Sequence, residues 1–296
     1  MYTSKQILAG VKNPQLLLSE INRLYTQKKN GCRYNPRGID VFSEDWDNLL
    51  IFDACRFDTF EDIALPQLPG KLESRTSRAS TSSEFIRGNF SDKQLYDTVY
   101  ISANGWFAKL KDDINASVHD FRFVERDAAN GLTSKPETVA DAIREAAKEY
   151  PNKRLIGHFM QPHQPYLGDS DFDGGAGKLE RVTKLPDVSQ DDVIQAYEEN
   201  LNLVVNEVDS LLDELKGRTV ITADHGEIFG QRGHPIPVKR YGHPEAHYLT
   251  DLVKVPWHIL EGDERKDIVA DSPEDSMEEI DFDQVEQNLA DLGYTM

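Results

Sequence analysis

Asp224 and His225 stand side by side in TADHGE (222–227), directly after an apolar run, with Gly226 next to let the backbone turn closely. The pair offers one oxygen and one nitrogen donor, a set that suits zinc or manganese. A second carboxylate, Asp53, ends the apolar run NLLIFDA (48–54) and opens DACRFD, where Arg56 either binds an anion or braces a carboxylate. Each has a plainer reading when taken alone. Asp224 or Asp53 can cap the helix that follows, and His225 can be a satisfied buried histidine.

A hydroxyl-rich stretch, SRTSRASTSSEFIRGNF (74–90), holds candidate nucleophiles. Thr81 and Glu84 fit a capping box, which predicts a helix beginning near Thr81. A helix N-terminus presents free N–H groups to an anionic substrate, and a nearby metal lowers a hydroxyl pKa toward the alkoxide. Ser80 and Thr81 are the two candidates at that point. HFMQPHQPY (158–166) adds His158 and His163, either of which can hold a phosphoryl oxygen or protonate a leaving group near neutral pH. YGHPEAH (241–247) adds His243 and His247, whereas His119, His234 and His258 stand without supporting context.

These residues need elements to bring them together. Short apolar runs at 48–54, 98–104, 154–160, 218–225 and 254–260 read as buried strands. Helical periodicity runs through SQDDVIQAYEENLNLVVNEVDSLLDELKG, with Gly217 placed to end it, and through PETVADAIREAAKEY (136–150). Strands alternating with helices predict an α/β fold with a mainly parallel sheet covered on both faces. Ligands in such sheets collect at the carboxyl ends of strands, where Asp53, Asp224 and His225 all fall. Ile7, Leu8, Val11, Leu16, Leu17, Leu18, Ile21 and Leu24 predict a helical lead-in packed on the outside of the domain. Residues 168–192 read as a surface loop or lid, and the acidic stretch 261–283 as mobile.

Composition limits the partners. The 296 residues, 39% hydrophobic, suffice for one large α/β domain or two small ones, and no second-domain boundary stands out. No run is long and apolar enough for a membrane span, and the first residues lack the pattern of a secretory leader, so the expected address is the cytoplasm. Cys32 and Cys55 read as free thiols. A net charge of -19 argues against nucleic acid and against tight association with anionic lipid. An anionic substrate would need local positive charge from a metal or an arginine-rich pocket. Acidity of this size also fits life in high salt, as in a haloarchaeal protein, because salt screens the self-repulsion.

The order of these segments resembles the sulfatase and alkaline phosphatase superfamily: DACRFD, a hydroxyl-rich helix start, HQPY, a long amphipathic helix, TADHGE, Gly-His-Pro and a terminal NLADLGY. The resemblance covers residues 47–296, with 1–46 as an N-terminal helical extension. It implies an alkaline-phosphatase-like three-layer sandwich with Asp53, Asp224 and His225 as metal ligands and the nucleophilic hydroxyl completing the sphere. His163 and His243 would contact substrate or a second metal. ASTSSEF is similar to the nucleophile segment of lipoteichoic acid synthases, which aligns Ser80 with the nucleophile, while the capping box favours Thr81.

Neither cysteine lies in a Cys-x-Pro-x-Arg segment, so the formylglycine chemistry of sulfatases is not expected. LIGHFMQPH also lacks the aspartate that two-zinc phosphatases place there, so a single-metal site, as in the lipoteichoic acid synthase and phosphoethanolamine transferase branch, fits these residues better. The implied function is a metal-dependent hydrolase or transferase of phosphate mono- or diesters. Manganese or zinc is the expected metal, with magnesium or calcium compatible, and the expected substrate is an anionic ester such as a lipid or glycan precursor. The alternatives are a sulfuric ester hydrolase without formylglycine and a non-catalytic member that binds a phosphorylated ligand.

Overall fold

The run at 48–53 forms β1 (Asn48–Asp53), whose six residues are all buried. Leu50 and Phe52 point into one hydrophobic core and Leu49 and Ile51 into another, as the two-residue period of a strand requires when both faces are covered. A computed structural model describes residues 10, 13–170, 179, 185, 188–273, 285, 287, 289 and 290. Eight other strands are described: β2 (Lys71–Thr76), β3 (Gln94–Ser102), β4 (Ser117–Phe123), β5 (Arg154–Pro162), β6 (Thr219–Ala223), β7 (Ile228–Arg232), β8 (Lys239–Gly242) and β9 (Lys254–Leu260). Seven form one sheet in the order β2-β9-β6-β1-β5-β3-β4, and β7 pairs with β8 alone. From β6 to β4 all pairings are parallel, while β9 runs antiparallel to both β6 and β2.

The helices make the outer layers. α1 (Pro14–Asn30) leads, followed by α2 (Phe57–Ile63), α3 (Ser82–Phe90), α4 (Trp106–Leu110), α5 (Pro136–Glu149), α6 (Gln190–Leu212) and the single turn α7 (Thr250–Val253). Phe60 of α2, Ile143 of α5 and Leu201, Val204 and Val208 of α6 share the core of Leu50 and Phe52. Phe85 and Phe90 of α3 and Phe107 of α4 share the core of Leu49 and Ile51. The molecule is therefore the three-layer α/β sandwich expected from the sequence.

All five apolar runs became strands of the sheet. β2, with the polar sequence KLESRT at an edge, gave no such signal. The long helix begins as expected, at a Ser189–Asp192 capping box, but ends at Leu212 rather than at Gly217. Residues 261–273 are held in place rather than loose: Lys266 Nζ bonds Asn48 Oδ1 at 2.6 Å, Arg265 pairs with Asp45 at 2.6 Å, and Val269 N bonds Asn152 O at 3.0 Å. Most of the expected lid at 168–192, residues 274–283 of the acidic stretch and most of NLADLGY lie outside the described residues.

α1 departs from ordinary amphipathic packing. Its buried residues are the polar Ser19 and Asn22, because the surface beneath it is a loop of exposed backbone groups and polar side chains. Asn22 bonds the Ile236 carbonyl (2.8 Å) and N–H (2.9 Å), Ser19 Oγ meets His247 Nε2 at 3.3 Å, and Gln27 reaches Glu245 at 2.9 Å. Ahead of position 47, Val41 and Trp46 pack into the core that contains Leu49.

Candidate metal centre

Asp53 is the last residue of β1, Asp224 follows β6 directly, and the two strands are neighbours, so the topology alone brings the two carboxylates together. Asp53, Asp224 and His225 are fully buried, and one donor atom from each lies within 4.8 Å of the others. Within each carboxylate the two oxygens differ. Asp53 Oδ2 accepts from Asn104 Nδ2 at 2.8 Å, and Asp224 Oδ1 accepts from Ala54 N at 3.1 Å and His225 N at 2.8 Å. Asp53 Oδ1 and Asp224 Oδ2 have no hydrogen-bond partner. These two oxygens are 3.6 and 3.4 Å from His225 Nε2. His225 Nδ1 lies 2.8 Å from the Gly226 carbonyl, which fixes the proton on Nδ1 and leaves the Nε2 lone pair facing the carboxylates.

Buried acceptors facing one another without a donor are costly unless a cation joins them. The electrostatics show the strain. Burial and the charge of Asp224 push the Asp53 carboxyl well above the usual carboxylate range. Burial also raises Asp224, but its histidine neighbours together with hydrogen bonds from Ser82 and the Ala54 N–H hold the group below its ordinary value. Burial lowers the His225 pKa below its ordinary value. Two carboxylates and one imidazole, each held in orientation by its outer hydrogen bonds, are a donor set that fits a divalent metal.

A hydroxyl that faces the side chains of this cluster is that of Ser82, the first residue of α3. It is fully buried and lies 3.5 Å from both Asp53 Oδ2 and His225 Nε2. Thr81 caps the helix by accepting from Glu84 N at 3.3 Å and contacts Ser83 Oγ at 3.0 Å. Ser80 turns the other way, to Glu84 Oε2 (2.9 Å), the Pro244 carbonyl (3.0 Å) and His247 N (3.3 Å). Among the hydrogen bonds of the described residues, Ser82 reaches the cluster, while those of Ser80 and Thr81 run to Glu84, Ser83, Pro244 and His247.

On the other side of His225 stand His163 and His243. The His243 ring lies 4.7 Å from that of His225 and 5.0 Å from that of His163. Burial, followed by the neighbouring His243, lowers the His163 pKa to about 3. Glu227, not singled out in the sequence although it ends TADHGE, is buried beside them, with Oε2 3.3 Å from His243 Nδ1 and Oε1 unpartnered. Its burial pushes the carboxyl up to about 7. His158, one of the two histidines of HFMQPHQPY, lies below the cluster. Its Nδ1 meets Tyr100 OH at 2.8 Å, and its unpartnered Nε2 is 3.9 Å from Asp224 Oδ2. Burial lowers its pKa to about 4.

Arg56 takes the bracing role of its two readings: it pairs with Asp58 through Nε at 2.8 Å and donates to the Glu227 carbonyl at 3.0 Å. His258 is structural, bonded to the Pro69 carbonyl at 2.6 Å.

The mostly parallel sheet with helices on both faces is consistent with an alkaline-phosphatase-like fold. Among solved structures the chain resembles the C-terminal periplasmic domain of EcEptC from Escherichia coli in complex with zinc, with 14% identity over 75% of this chain and 74% of that one and a TM-score of 0.51. It is also similar to the soluble domain of lipooligosaccharide phosphoethanolamine transferase A from Neisseria meningitidis (13% identity, 73% and 76% covered, TM-score 0.47). A protein in the alkaline phosphatase superfamily from Vibrio parahaemolyticus is a third (12%, 81% and 64%, TM-score 0.41). No family model and no curated protein matches the sequence. At these identities the likeness is one of fold.

Proposed function

We propose that this chain is a metal-dependent hydrolase or transferase of phosphate esters, with Asp53, Asp224 and His225 as metal ligands and Ser82 as the nucleophile. The observation that carries the reading is the convergence of two unpartnered buried carboxylate oxygens and one imidazole lone pair beside a buried serine hydroxyl. When bound, the metal would supply Lewis acidity and lower the pKa of a nearby hydroxyl. Ser82 Oγ forms a bond to phosphorus as the bond from phosphorus to the leaving oxygen breaks, and its proton leaves toward Asp53 Oδ2. Water or an acceptor alcohol then takes the phosphoryl group from Ser82. His163, His243 and Glu227 line the far side of His225, where they would hold phosphoryl oxygens or a second cation.

Metal content by mass spectrometry, on protein purified without chelator, tests the reading in wild type and in Asp224→Ala. Zinc, the metal in the E. coli domain's crystal, is the first to add back, followed by manganese. The expected result is stoichiometric metal in wild type and none in the variant, with turnover of nitrophenyl phosphate or its diester in wild type alone. Preferential turnover of nitrophenyl sulfate would move the assignment to a sulfatase. Metal bound without turnover of any ester would make the chain a binding protein, and no metal after add-back would end the proposal.

A further inference from the structure

The face that α1 turns to solvent is its apolar one. Leu17, Ile21, Leu24 and Tyr25 are 52%, 44%, 45% and 52% exposed, while polar Ser19 and Asn22 fill the contact with the domain. Steps of four, three and one residue put these four side chains on one stripe, which Lys28 extends at the next turn. Charge sets the same region apart. Residues 1–37 hold seven of the 33 Lys and Arg but one of the 52 Asp and Glu, so this stretch carries +6 and the rest of the chain -25. Lys28, Lys29, Arg33 and Arg37 are exposed, and none of them makes an ion pair among the described residues.

We infer that α1 is an in-plane docking helix for an anionic lipid surface. A stripe of Leu, Ile and Tyr beside unpaired Lys and Arg is the composition that inserts at a headgroup boundary, where apolar burial and attraction to anionic lipid add. Charge complementarity favours that occupant over a symmetric contact between two copies through this stripe, which would set the basic flanks of both α1 helices face to face. The strongly acidic remainder turns away from the same surface, so the charge segregation sets orientation as well as affinity.

α1 rests on residues 236–247, the segment that also carries His243, so docking would hold the candidate metal centre's rim close to the lipid. No described helix is long and apolar enough to cross a membrane. The inference does not depend on which reaction the metal centre performs.

Co-sedimentation of the full chain with vesicles tests it, using phosphatidylcholine alone and phosphatidylcholine mixed with phosphatidylglycerol at moderate salt. Binding is expected to the anionic vesicles only. The exposed triple variant Leu17→Ser/Ile21→Ser/Leu24→Ser should bind at least about tenfold more weakly, with thermal midpoint and circular dichroism unchanged. Lys28→Gln/Lys29→Gln, which leaves the stripe intact, should weaken binding by roughly tenfold or more, at about 1 kcal/mol per cation. Failure to sediment with either vesicle overturns the inference, as does binding that neither variant weakens. A dimer in sedimentation velocity that the triple variant abolishes, without vesicle binding, would assign the stripe to self-association instead.

Discussion

Ser80 and Ser82 lie two residues apart at the start of α3, yet their hydroxyls face different structures. Ser82 meets the metal cluster, while Ser80 joins Glu84 to the loop at Pro244. Replacing each by alanine separates chemistry from packing. Ser82→Ala should lower turnover of the phosphate ester by roughly a thousandfold or more while leaving metal content and stability near wild type. Ser80→Ala should cost about 1 to 2 kcal/mol in urea unfolding and change kcat less than about threefold. The reverse pattern would return the nucleophile to Ser80. The candidate metal cluster was legible in the sequence because Asp53 and the Asp224–His225 pair each end an apolar run, and strand ends converge in a parallel sheet. Ser82 was not. In the run STSS the capping position is readable from Thr81 and Glu84, but which hydroxyl beside it faces the metal depends on how α3 sits over the strand ends, and that is a tertiary fact. Glu227 was hidden for a similar reason, since an acid in a polar motif looks exposed until burial is known.

The first turn of α3 is held as an element by Glu84. Its buried carboxylate accepts from Ser80 N (2.7 Å), Ser80 Oγ (2.9 Å), Ala246 N (2.9 Å) and Tyr248 OH (3.1 Å), tying the helix start to the loop that follows His243. Glu84→Ala leaves two buried N–H donors and two hydroxyls without this partner. It should therefore lower stability by about 2 to 4 kcal/mol in urea unfolding, with a loss of turnover beyond that of Ser80→Ala because Ser82 is freed with the helix start. An unaltered unfolding midpoint would mean that this clamp contributes nothing. The capping box seen in the sequence is half formed: Thr81 accepts from Glu84 N, but the Glu84 side chain reaches Ser80 rather than the cap's own N–H. Elements with strong apolar periods were read with nearly their true bounds, such as β9 at 254–260 and α5 from Pro136. β2, β4 and the β7–β8 hairpin were missed because these short or edge strands carry no continuous apolar run. α1 was read as a surface helix, but periodicity could not say which face turned inward, since the polar loop beneath it is assembled from residues more than 200 positions away.

For the whole molecule, the total of -19 conceals its distribution, and the expectation drawn from it against anionic surfaces treated the charge as uniform. The acidic body and the basic lead-in should respond to salt in opposite senses. Within the body, carboxylates outnumber cations, and added salt screens their mutual repulsion over a Debye length of about 10 Å at 0.1 M and about 3 Å at 1 M. Exposed ion pairs such as Arg218–Glu261 at 2.7 Å and Arg144–Glu214 at 2.7 Å weaken under the same screening, but each is worth only about 0 to 1 kcal/mol. Repulsion is the larger quantity here, so the free energy of unfolding should rise by about 1 to 2 kcal/mol, or a few degrees in thermal midpoint, between roughly 0.1 and 1 M potassium chloride. Docking of α1 on anionic vesicles should weaken across that titration, because it depends on attraction between unlike charges. Thermal unfolding and vesicle co-sedimentation measured in the same salt series would read both signs. Stability that falls with salt would show that ion pairs outweigh repulsion in the acidic body, and vesicle binding that does not weaken would show that the basic flank of α1 contributes nothing to docking.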